Sequence, residues 1–174
     1  YASTYSFGTN NIDLELAIEL FKNVPEHLIT PFRTQQWAMS LISLKRYDEA
    51  ESMLVNRLVI DSSNLFLNSA YAILLIKKGN HKAAQERIEF CENNNLHTSH
   101  YHHVAYALAI SYALLGDYSK SVDKLTWAAE NGFPNYPLFG NDPLLASMHE
   151  YPPYLELMEK LKTLWLKYKE IAVE

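Results

Sequence analysis

One pattern returns three times in this sequence, and it constrains the fold more than any other feature. The segments Trp37 to Ala50, Tyr71 to Ala84 and Leu108 to Ser121 align position by position. Ala38 lies 34 residues before Ala72, and Ala72 lies 37 before Ala109. Fixed periods of this size mark chains built from repeated supersecondary units. In each copy a large apolar residue (Trp37, Tyr71, Leu108) precedes an alanine, and another apolar residue (Leu41, Leu75, Tyr112) follows three places on. Spacings of three and four put these side chains on one helical face. The alanine lets a second helix approach closely. A short turn follows at Lys45-Arg46, Gly79-Asn80 and Gly116-Asp117. Glycine there can adopt a positive φ and end the helix. A ring then packs back (Tyr47, His81, Tyr118), followed by a small residue (Ala50, Ala84, Ser121) and, four later, Leu54, Ile88 or Leu125. This predicts a second amphipathic helix antiparallel to the first, and hence an all-α chain.

Composition agrees with a folded helical chain and removes several functions. The 174 residues are 48% apolar and 20% charged, enough for a sizeable core and unlike a disordered segment. Lys and Arg number 15 against 20 Asp and Glu, a net charge of −5, which argues against broad binding to nucleic acid or acidic membranes. Cys91 is alone, so no internal disulfide or cysteine zinc cage can form. The five glycines stand singly at 8, 79, 116, 132 and 140, so no phosphate loop or Gly-x-Gly-x-x-Gly turn exists. The longest nearly apolar stretch, Val104 to Leu115, is short of the roughly 20 residues a bilayer crossing needs. Tyr1-Ala2-Ser3 opens the sequence without methionine or a signal pattern. We expect a fragment of a longer protein, with the compartment open between cytoplasmic and periplasmic or extracytoplasmic.

The registered copies resemble the tetratricopeptide repeat, a 34-residue helix-turn-helix. The resemblance covers Pro31 to Asn135 as repeats 31–64, 65–98 and 102–135. It departs from the family in three ways. Thr34, Asn68 and Ala105 occupy the first large position, Ser62, Leu96 and Phe133 the late proline, and Lys45 the first turn glycine. What the resemblance implies is a right-handed α-solenoid of antiparallel helix pairs over a single domain, 1–174. Residues 1–30 would be a partial N-terminal repeat. In it Asp13 would cap a helix packed through Leu14, Ala17 and Phe21, and Pro25 would stop that helix, whose partner would lie in Tyr1 to Asn10. Asn131 to Pro137 reads as a rigid loop. Asp142-Pro143 then gives an N-cap with proline at the first position of a short helix to about Glu150. Pro152-Pro153 opens a capping helix over about 154–170, with Tyr154, Leu157, Met158, Leu161, Leu164, Trp165 and Tyr168 at helical spacing. The stretch Asn141 to Leu157 is similar to the tail of tetratricopeptide regions in bacterial signalling proteins and transcription regulators.

By this resemblance the chain is a non-catalytic interaction or scaffold module of a larger bacterial regulator. The alternative is an extracytoplasmic sensor domain of a membrane-anchored transcriptional activator. First helices of such arrays line one concave surface that takes a peptide or helix. The matching positions are Phe32, Gln35 and Met39, then Phe66, Ser69 and Ile73, then His103, Tyr106 and Ile110. They lack the Lys, Asn and Arg clamp of chaperone-tail binders, so an apolar helical partner is expected. That partner is another protein, another domain of the same protein or a second copy, unless the last helix fills the groove through Leu157, Leu161 and Trp165. His97, His100, His102 and His103 cluster before the third repeat, and imidazoles suit zinc, copper or nickel. No carboxylate lies within five residues on their C-terminal side, and adjacent His102 and His103 are expected to point apart on a helix. The expectation is a polar inter-repeat loop with no metal or other cofactor, or else a pH-responsive patch. No nucleophile elbow, His-Glu-x-x-His or paired carboxylates occur, and Cys91 falls at a packing position, so no enzymatic activity is expected.

Overall fold

The computed structural model describes residues 11–94 and 100–171, and among these residues the chain is all-α, with no strand. It divides into two compact units, Tyr1–Ser99 and His100–Glu174. The first holds α1 (Asn11–Lys22), a 3-10 turn (Glu26–Leu28), α2 (Pro31–Ser43), α3 (Tyr47–Ile60), α4 (Leu65–Lys77) and α5 (His81–Asn93). The second holds α6 (Tyr101–Leu115), α7 (Tyr118–Glu130), α8 (Tyr136–Asn141), a 3-10 helix (Pro143–Met148) and α9 (Pro152–Ile171). In the first unit α2 packs on α1, α3 and α4, and α4 packs on α3 and α5. In the second, α6 packs on α7 and the 3-10 helix, while α9 lies on α7 and α8.

Three helix-to-helix turns share one geometry. Lys45, Gly79 and Gly116 take φ of 60°, 79° and 81°, the left-handed region. The next residue then donates its N–H back to the carbonyl of the recurrent apolar position: Arg46 to Leu41 at 2.9 Å, Asn80 to Leu75 at 2.8 Å, Asp117 to Tyr112 at 3.0 Å. A second bond joins each left-handed residue to the carbonyl three before it, at Ile42, Ile76 and Ala113. This is the Schellman arrangement, which satisfies carbonyls that a helix end leaves open. Asn80 and Asp117 then cap the following helix, accepting from the amides of Ala83 and Lys120. Arg46 has no capping oxygen. Its guanidinium instead pairs with Glu49 and Glu15.

The cores follow the predicted faces. Ala38, Ala72 and Ala109, and Ala50, Ala84 and Ser121, are completely or almost completely buried. So are Leu54, Ile88 and Leu125, four residues further on. Two departures from the repeat pattern that the resemblance implies have a physical reason. Thr34, where a large residue would stand, is buried and donates to the Thr30 carbonyl at 3.1 Å. Asn68 is buried and donates to the carbonyls of Ser62 and Asn64, and its own Oδ1 accepts from Arg87 at 2.8 Å. Buried polar groups that are satisfied in this way cost little.

Several boundaries differ from expectation. Asp13, expected as a cap, lies inside α1, which begins at Asn11. Leu14, Ala17 and Phe21 are buried as expected. The expected partner helix within Tyr1 to Asn10 lies outside the described residues. The loop placed over Asn131 to Pro137 is present over 131–135 but ends two residues early, where α8 begins at Tyr136, because Asn135 accepts from the Leu138 amide at 3.2 Å and Pro137 stands in the first turn. Asp142 caps the 3-10 helix as expected, accepting from Leu144 at 2.8 Å. In α9, Tyr154, Leu157, Met158 and Leu161 are buried, whereas Tyr168 is exposed because the helix has run past its support.

Candidate functional site

The nine expected groove positions fall into the two units, six in the first and three in the second. In the first unit Gln35, Ser69 and Ile73 are buried. Gln35 Nε2 donates to Ser69 Oγ at 3.0 Å, so α2 and α4 are tied together by the pair expected to meet a ligand. Ser69 Oγ donates in turn to the Phe66 carbonyl at 3.0 Å. Phe32, Met39 and Phe66 are half-buried. The Phe32 and Phe66 rings meet edge to face with centroids 5.6 Å apart. This geometry is favourable for aromatic pairs and leaves one apolar surface shared by two helices.

In the second unit Tyr106 and Ile110 are buried and His103 is half-buried. Tyr106 stacks on Phe139 at 5.3 Å and its hydroxyl donates a hydrogen bond to the Asp142 carboxylate. Burial first, and then the Asp142 carboxylate, push the Tyr106 phenol well above its ordinary value, so it stays a donor. Asp142 therefore holds α6 and the 3-10 helix at once. Sequence spacing alone gave no sign of this 36-residue contact. The last helix buries Leu157 and Leu161 against its contacts on α7 and α8, while Trp165 stays half-exposed beside Tyr136 at 5.7 Å.

The histidine cluster is tighter than expected. His97 lies outside the described residues. His100, His102 and His103 offer ring nitrogens that all lie within 4.8 Å of one another. His102 and His103, expected to point apart, have ring centroids 4.4 Å apart. The reason is their place in the first turn of α6, where side chains lean toward the helix start and no preceding turn separates them. His100 sits just before the helix with φ 60° and ψ 28°, a left-handed conformation. Phe133 backs the cluster, its ring 5.9 Å from His102 and 4.6 Å from His103. Burial, then the neighbouring His102 and His100, pull His103 down to about 4. His102 is lowered for the same reasons, with burial and His100 outweighing its hydrogen bond to the Asn131 backbone.

Cys91 is fully buried and its thiol donates to the Leu65 carbonyl at 3.7 Å. Burial pushes the thiol up to about 12, the opposite of a nucleophile's requirement. No family, no curated protein and no solved structure matches the chain. The fold and the side chains therefore define the class: among the described residues, an all-α chain in which three helix-to-helix connections share one turn geometry.

Proposed function

We propose that this chain is a tetratricopeptide-like α-solenoid acting as a non-catalytic protein-interaction module of a larger bacterial regulator. The recurrent turn is the observation that carries the proposal. A left-handed residue and the same two backward hydrogen bonds fall at the register of the repeat three times, at Lys45, Gly79 and Gly116. Helix pairs joined in this way expose successive first helices on one side, where a peptide or helix can lie. Burial narrows the contact set. Gln35, Ser69, Ile73, Tyr106 and Ile110 support the helices from within. Half-buried Phe32, Met39 and Phe66 are the positions through which an apolar helical partner would be met.

Selection of binding peptides from a random display library against the chain tests this. Aromatic anchors cost more than about 1–2 kcal/mol when removed from an interface. Phe32→Gln with Phe66→Gln should therefore weaken the selected peptides by more than about tenfold, with the circular dichroism spectrum unchanged. Peptides that hold the double variant as tightly as the parent would overturn the assignment.

A further inference from the structure

Beyond the interaction surface, we infer that His100, His102 and His103 form a binding site for one late first-row divalent cation, zinc, nickel or copper. Three observations converge on it. First, one ring nitrogen from each histidine lies within 4.8 Å of the other two. Tetrahedral ligands about 2.05 Å from zinc stand about 3.3 Å apart, so closing the set takes side-chain movements of about 1.5 Å or less. Exposed His100 can supply such a movement by rotating, without disturbing packed neighbours.

Second, the two inner rings are already oriented. His102 lies beside Gly132, at ordinary contact distance from where a Cβ there would stand. It is also hydrogen-bonded to the Asn131 backbone. A ligand imidazole held through its other nitrogen by a backbone carbonyl is the usual support around bound metals. His103 is held edge-on by Phe133. Third, the donor set is chemically selective. Three imidazoles, with no carboxylate in the cluster among the described residues, suit zinc, nickel and copper, whereas magnesium and calcium require oxygen. The start of α6 carries positive partial charge, which works against any cation, so affinity must come from the nitrogen ligands themselves.

Calorimetric titration of the chelator-treated chain with zinc chloride is the test. One equivalent should bind, magnesium chloride should give no heat, and zinc should raise the melting temperature as its concentration exceeds the dissociation constant. His100→Asn tolerates the left-handed backbone and stands at an exposed position, so it should fold normally. It and His103→Gln should each weaken zinc by more than about tenfold, since loss of even a group behind the ligands costs that much. A combined His27, His81 and His149 to Asn variant, changing exposed histidines elsewhere, should bind zinc as the parent does. Absence of saturable binding at about 100-fold zinc excess would overturn the site, as would binding that survives both His100→Asn and His103→Gln. Because peptide capture by Phe32 and Phe66 is measured separately, either proposal can fail alone.

Discussion

Lys45 is the residue at which this chain departs most visibly from its own pattern. Gly79 and Gly116 take the left-handed conformation without a side chain, while Lys45 takes it with one, at φ 60°. A left-handed conformation costs an L-residue about 1–2 kcal/mol. Lys45→Gly should therefore stabilise the chain by about 0.5–1 kcal/mol, the remainder being offset by glycine's greater freedom when unfolded. Gly79→Ala and Gly116→Ala should each destabilise by about 1–2 kcal/mol. The space around both glycines is open, so that loss would be backbone strain and not a clash. Urea midpoints of the three variants check this, and a Lys45→Gly chain less stable than its parent would contradict it. Cys91 supports a second residue-scale expectation. Its thiol is buried and raised to about 12, so an aromatic disulfide reagent at pH 8 should react only as fast as the chain opens. Rapid labelling of the native chain would show that α5 is not packed as described.

Among the elements, the start of α6 is where pH should act. The unfolded His103 titrates near 6.5 and the folded one near 4. Between those values the unfolded chain binds more protons, so stability is complete above about pH 6.5 and is lost as pH falls toward 4. After discounting for partial solvent exposure, the loss is about 1–2 kcal/mol. In the metal-free chain, unfolding measured from pH 7.5 to 4.5 should show that slope, and His103→Gln should flatten it. Equal slopes would mean that His103 is not held as described. Helix-scale features divide cleanly into legible and hidden. The turns were legible because one geometry needs one register, and Leu41, Leu75 and Tyr112 supply both the apolar face and the accepting carbonyl. The groove was legible only as a set of positions. Whether Gln35 faces a ligand or Ser69 depends on which polar groups find each other across α2 and α4, and no single-helix pattern contains that. The tie from Tyr106 to Asp142 was hidden for the same reason. Helix α8 escaped because its signals, Asn135 as cap and Pro137 in the first turn, resemble those of a loop.

At the scale of the whole molecule, a row of local interfaces and one shared core make different predictions for unfolding. In a repeat array each element is stabilised by its neighbours, so a defect acts mainly nearby; in a single cooperative core it acts everywhere. Each compact unit contains a fully buried leucine suited to the comparison, Leu54 in α3 and Leu125 in α7. Truncating either to alanine should cost about 2–5 kcal/mol. Each unit also carries a tryptophan in a defined aromatic contact, Trp37 stacked on Phe21 at 5.8 Å and Trp127 edge-on to Tyr101 at 5.2 Å. With Trp37 or Trp127 as the sole tryptophan, Leu54→Ala should shift the Trp37 transition by its full cost and the Trp127 transition by less than about half of it. Leu125→Ala should give the reverse. Transitions that move together, by the same amount in both backgrounds, would establish one cooperative core and remove the physical basis for a solenoid.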